Sequence, residues 1–138
     1  MIFETFILVL VAVLWGCTNP FIKSGTVGIE KIKGKTKFSQ ILLELKFLFT
    51  NWKYIIPFLI NQSGSLAYIF ALQIAPMSLV VPVTNSLTFV FTDLTGKLLG
   101  EKSPPLRTYI GMLFILCGTT LCVLDKVYPI DVSSILMF

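Results

Sequence analysis

The chain has no histidine, only three cysteines and little charge: 13% of its 138 residues are Asp, Glu, Lys or Arg. A typical soluble domain carries about a quarter. Without histidine there is no Cys–His catalytic pair and no His-containing metal site. Cys17, Cys117 and Cys122 all fall within long apolar runs and have no zinc-finger spacing, so they read as small packing residues and not as a disulfide scaffold. Hydrophobic residues make up 55%, more than a single core of this size hides from water. A soluble enzyme, a disordered chain and a collagen-like repeat are all poor fits. The solvent for most of this chain is lipid.

The gaps between charges define the spans. Thr5 to Ile22 is an uncharged run of 18 residues, Tyr54 to Thr92 one of 39, and Thr108 to Leu124 one of 17. A helix rises about 1.5 Å per residue, so roughly 20 residues cross the hydrocarbon core. The middle run is long enough for two crossings. Ala75-Pro76 is the break, since proline ends a helix and disfavours helical geometry just before it. The expectation is an all-α, polytopic membrane protein forming a single membrane domain over 1–138, with four spans at about 3–22, 54–74, 77–99 and 107–124. The first run has no basic residue before it and no A-x-A-like site after it, so it is expected to remain as a span and not to be cleaved as a signal peptide.

Orientation follows from the basic residues. Lys23, Lys31, Lys33, Lys35, Lys37, Lys46, Lys53, Lys97, Lys102 and Arg107 fall on one side of this topology, and only Lys126 on the other. The positive-inside rule then places both termini on the non-cytoplasmic side. The net charge of +4 is a membrane-surface signal, and no nucleic-acid partner is implied.

The loop 23–53 has two parts. Lys31, Lys33, Lys35 and Lys37 lie within seven residues, which suits a solvated loop or a contact for anionic headgroups. Downstream, Phe38, Ile41, Leu42, Leu45, Leu48, Phe49 and Trp52 share an arc of about 120°. An amphipathic interfacial helix over about 38–52, anchored by Trp52, fits better than a span, because Glu44 and Lys46 lie inside it.

Polar groups at membrane depth are expensive and mark candidate sites. Trp15, Asn19 and Lys23 recur on one face of the first span, with Pro20 freeing a backbone carbonyl nearby. Asn61, Ser65 and Tyr68 share a face of the second. In the third, Thr84, Thr88, Thr92 and Thr95 fall within a sector of about 80° with Asn85 beside them, and Pro82 is expected to break or kink the helix. Asp93 is the one acid well inside a span; it reads as a coupling group or as an i,i+4 partner of Lys97. Trp15, Asn19, Asn61, Ser65, Thr84, Asn85, Thr88 and Asp93 are the candidate polar cleft. Gly96 and Gly100 form a GxxxG, and Gly111 and Gly118, seven apart, form a candidate helix-packing seam with Ile115 and Cys122.

Leu14-Trp15-Gly16-x-x-Asn19-x-x-x-Lys23, with Pro82, Gly100-Glu101, Gly111 and Gly118, resembles one repeat of the drug/metabolite transporter superfamily. The chain as a whole resembles the transmembrane protein 234 family of small four-span eukaryotic proteins. Trp15-Gly16-x-Thr18-x-Pro20-x-x-Lys23, Pro57-Phe58-Leu59-x-Asn61-Gln62-x-Gly64-Ser65 and Pro82-Val83-x-Asn85-Ser86-Leu87 carry that likeness. The superfamily resemblance implies a half-transporter that pairs, as a homo- or hetero-oligomer, to enclose a path for a small-molecule substrate. Small multidrug-resistance proteins carry a glutamate midway along their first helix; this chain has Leu10 to Leu14 there and no acid. The ten-to-one basic asymmetry also opposes an antiparallel homodimer. The other reading is a non-transporting scaffold or accessory subunit in which the polar groups join helices and the lysine loop is the working surface. Neither reading involves an enzyme or a cofactor.

Overall fold

The computed structural model describes residues 2–129. The tail from residue 130 lies outside the described residues. Five α-helices follow in order: α1 (Ile2–Gly25), α2 (Lys37–Thr50), α3 (Trp52–Ile74), α4 (Met77–Leu98) and α5 (Leu106–Val127), with a short 3₁₀ turn at Ile29–Lys31. Four of them, α1, α3, α4 and α5, are long and apolar enough to cross a membrane. The chain is an all-α, multi-pass integral membrane protein, with the shorter, amphipathic α2 between its first two spans.

Several helices extend past the uncharged runs, α1 to Gly25 beyond Lys23 and α5 to Val127 beyond Lys126. Charge limits the hydrocarbon-embedded part of a helix, not its hydrogen bonding. Trp52 begins α3 and does not end α2. Asn51 separates the two helices and serves both: it caps α2, and its Oδ1 accepts from the Lys53 N–H at 3.1 Å to start α3. Its Nδ2 donates to the Gly25 carbonyl at 2.7 Å, tying the end of α1 to the start of α3. At the other end, Ala75 and Pro76 adopt extended backbone between α3 and α4.

Local geometry decides two sequence expectations. Pro82 does not break α4, which runs unbroken from Met77 to Leu98. Gly100 makes no GxxxG contact within the described chain. It has φ +79°, and the Gly100 N–H donates to the Lys97 carbonyl while the Glu101 N–H donates to that of Gly96. This is a Schellman cap, where glycine carries the left-handed residue without steric cost.

The helices are ordered α3–α1–α4–α5. The central helix, α1, packs along both α3 and α4, α5 packs on α4, and α3 meets α4 only slightly, near the turn that joins them. Leu8, Ala71, Ala75 and Val80 form the tightest cluster, at that turn. Lipid gives helices little hydrophobic reason to associate, so close contact rests on small residues and hydrogen bonds. A Cβ at Gly16 would strike the Cβ of Phe91 and come within 2.9 Å of the Thr88 carbonyl oxygen. At Gly64 it would lie 2.9 Å from Cδ1 of Trp15. No residue of α5 is buried, and Cys117 and Cys122 are exposed on it, so those two do not pack within the described chain.

Gly16→Val is therefore expected to destabilise the detergent-solubilised monomer by about 1–3 kcal/mol through overpacking. Gly118→Val, where a Cβ meets nothing within 4 Å, should leave it within about 0.5 kcal/mol. Unfolding of both variants in one detergent checks the pair.

Candidate functional site

The polar residues of α1, α3 and α4 meet in one chain of hydrogen bonds. Asn61 of α3 donates from Nδ2 to Thr18 Oγ1 at 2.7 Å and to Asn19 Oδ1 at 3.3 Å. Asn19 in turn donates from Nδ2 to Thr92 Oγ1 of α4 at 3.4 Å. Thr18 turns its own hydroxyl back to the Leu14 carbonyl, which leaves its oxygen free to accept from Asn61. Trp15 lies against Gly64 and tilts over Tyr68, ring centroids 5.0 Å apart. Asn19 therefore links all three helices through its two amide ends.

Beyond Thr92, towards the ends of the spans, the network opens into a cavity of about 400 Å³. Lys23 of α1, Phe89, Thr92, Asp93, Gly96 and Lys97 of α4, Glu101, Lys102 and Pro104 of the connection, and Thr108 and Met112 of α5 line it. Two ion pairs organise its charge. Lys23 Nζ is 3.1 Å from Glu101 Oε2, joining α1 to the α4–α5 connection. Lys97 Nζ is 2.7 Å from Asp93 Oδ2, and the Tyr109 hydroxyl donates to Asp93 Oδ1 at 3.3 Å. The Lys97 ammonium also sits 4.9 Å from the centre of the Tyr109 ring. Asp93 is thus the i,i+4 partner of Lys97, and Tyr109 brings α5 into that pair.

Not every candidate from the sequence lines this space. Thr84 is fully buried and its Oγ1 has no hydrogen-bond partner among the described residues, so it belongs to the helix packing and not to an opening. Thr88 donates to the Thr84 carbonyl of its own helix at 2.7 Å, a common way for threonine to satisfy itself in lipid. Ser65 is half-buried on the Asn61 face of α3. Asn85 is exposed, one turn deeper than Phe89, on the α4 stripe that continues through Thr92 and Gly96. Nothing lies within 4 Å of a Cβ built at Gly111 or Gly118, so neither glycine is a point of close helix packing within the described chain. Of the α5 residues, Thr108 and Met112 line the cavity, and Gly111, Ile115 and Gly118 follow Thr108 at helical spacing.

Sequence reasoning missed Thr18 as a partner, the Lys23–Glu101 pair and the role of Tyr109. Thr18 stands next to the Trp15–Asn19 stripe, a cue available in the sequence. The other two depend on how α1, α4 and α5 pack.

The chain matches the family model described as "Putative transmembrane family 234" over residues 8–123. It belongs to this family. It is similar to a transmembrane protein 234 homolog of Anopheles gambiae, 47% identical over 125 residues that cover 91% of this chain and 89% of that protein. A second homolog, from Dictyostelium discoideum, is 50% identical over 119 residues, covering 86% of this chain and 93% of its own length. No solved structure matches. The matched span takes in α1 from Leu8, the lysine loop, α2, α3, α4 and α5 to Val123, and so contains the whole hydrogen-bonded chain and the cavity.

A double-mutant cycle tests the hub. Asn61→Ala and Thr18→Val should each destabilise the chain, with a coupling energy of about 0.5–1.5 kcal/mol between them. Strict additivity in detergent unfolding would show that the two side chains do not meet.

Proposed function

We propose that this membrane protein is a half-transporter-like unit of the drug/metabolite transporter kind, working as an oligomer, with the polar cleft as its solute path. One observation carries the reading. The hydrogen-bonded chain Asn61–Asn19–Thr92 leads into one cavity, which Lys23 of α1, Phe89, Thr92 and Gly96 of α4, and Thr108 and Met112 of α5 line. Next to it, Asn85 of α4 and Gly118 of α5 are exposed among the described residues. The described helices enclose this cavity only in part, and in this reading a second copy of the chain completes it. Both charge signs, with Phe89 and Met112 beside them, suit a small zwitterionic or polar solute. The reading requires binding and passage, with no bond made or broken.

The basic residues support an orientation. Contacts between Gly25 and Asn51, Lys23 and Glu101, and Asp93 and Tyr109 gather the ends carrying Lys23, Lys53, Lys97, Lys102 and Arg107. That end faces the cytosol in this reading, and the start of α1 and the end of α5 face away. A second copy then joins in the same orientation, about an axis along the membrane normal. The glycine stripe of α5 suits such a contact, because it admits a second helix closely.

The competing reading, a non-transporting scaffold, draws on the fact that Asn19, Asn61 and Thr92 bond to one another and so serve as interhelical glue. Water separates the two. In a chain with Cys17, Cys117 and Cys122 replaced, Asn85→Cys should react with a membrane-impermeant thiol reagent about tenfold faster than the exposed α5 control Leu113→Cys, because only a hydrated thiol ionises. Labelling should come from the basic end. Equal, slow labelling at both positions would refute a water-filled cleft and leave the scaffold reading.

A further inference from the structure

We infer that α2 and the loop before it form a built seat for anionic phospholipid headgroups of the bilayer that the chain spans. Three independent features support this. The first is the shape of the lysine loop. Lys31, Lys33 and Lys35 are exposed and alternate with half-buried Ile32 and Gly34. Those inward positions are held by one side chain: Gln40 of α2 donates from Nε2 to the Ile32 carbonyl at 2.7 Å and accepts from the Gly34 N–H at its Oε1. A Cβ at Gly34 would run into the backbone of Gln40, so only glycine allows this clamp. The lysines are thus presented by a fixed loop, and Lys37 follows as the first residue of α2.

The second feature is where the acids go. Between residues 26 and 53 there are six lysines and two glutamates. Glu30 accepts from the Gly28 N–H at 3.2 Å, folded onto its own turn, and Glu44 accepts from Gln40 beneath the clamp. Both carboxylates are occupied with the loop's own structure, and Lys31, Lys33, Lys35 and Lys37 keep their outward charge. The third is the apolar side of α2. No residue of this helix is buried, and Phe38, Ile41, Leu42, Leu45 and Phe49 are exposed along one face. Lys37 and Lys46 border that face on either side, as expected for a helix lying at the headgroup level with its cations reaching outward. Asn51 fixes its depth, since the same residue ends α2, starts α3 and holds the Gly25 carbonyl at the end of α1. The occupant is therefore the surface of the same membrane, and the charge balance selects its anionic lipids.

Native mass spectrometry of the full chain in detergent, with phosphatidylserine or phosphatidylcholine added, tests this. The expected result is preferential retention of phosphatidylserine by at least about fivefold, the effect of one engaged lysine at an anionic surface. The preference should weaken with salt, fall to near unity when Lys31, Lys33, Lys35 and Lys37 are all replaced by Gln, and persist when all four are replaced by Arg. Glycerophosphoserine, the headgroup without its chains, should not compete. Equal retention of the two lipids by the wild-type chain, or undiminished preference in the Gln variant, would overturn the inference. If the Gln variant does not fold, hydrogen exchange of residues 31–50 in wild-type nanodiscs decides. Stronger protection with phosphatidylserine supports the seat, and identical exchange in both lipids refutes it. None of these outcomes depends on whether the cleft transports.

Discussion

Close approach at two glycines underlies the rest of this structure. Gly16 brings the α4 backbone onto α1, and Gly64 brings α3 onto Trp15 of the same helix. In lipid, where burying one more leucine gains little, such contacts and the hydrogen bonds they permit decide which helices associate. They make α1 the shared neighbour of α3 and α4, and so hold those two apart except at the turn that joins them. Asn19 then reaches Asn61 on one side and Thr92 on the other. A side chain added at either glycine would push these amides beyond bonding distance and leave several polar groups unpaired in hydrocarbon.

The charged end follows a different logic. There the chain leaves the hydrocarbon, and local devices take over: Asn51 as a double cap, Gly100 as a left-handed stop, Gln40 as the clamp on the lysine loop. Each fixes where a cation stands. The Lys23–Glu101 pair is exposed, and by itself contributes no more than about 1 kcal/mol. Its importance is positional, because it ties the exit of α1 to the α4–α5 connection across the mouth of the cavity. The outcome is a row of four helices, joined at depth by polar side chains and strongly basic at one end.

Much of the architecture was legible in the sequence. Charge-free runs marked four long apolar helices, and the arc from Phe38 to Phe49 marked an amphipathic helix between the first two. Both signals are local, carried by periodicity and composition. The site was legible only in part. Trp15, Asn19, Asn61 and Thr92 stood out as polar groups at depth, and they come together. Thr84 stood out for the same reason and is buried, since a helical stripe shows which residues share a face but not which neighbour that face meets. Gly96 and Gly100 matched a packing motif, yet a glycine three residues beyond a lysine near a helix end serves equally as a cap, and backbone conformation decides between the two. The Lys23–Glu101 pair joins positions 78 residues apart, and nothing short of the packing order reveals it.

The central claim is that a second copy completes the cavity by joining along the Gly111–Gly118 face of α5. Cysteine crosslinking in native membranes tests it most directly, using a chain with Cys17, Cys117 and Cys122 replaced and one new thiol at a time. The account predicts a covalent dimer from Gly118→Cys and none from Leu124→Cys, an exposed residue about 120° round α5 from Gly118. Failure of Gly118→Cys to crosslink, or equal crosslinking at both positions, would contradict it.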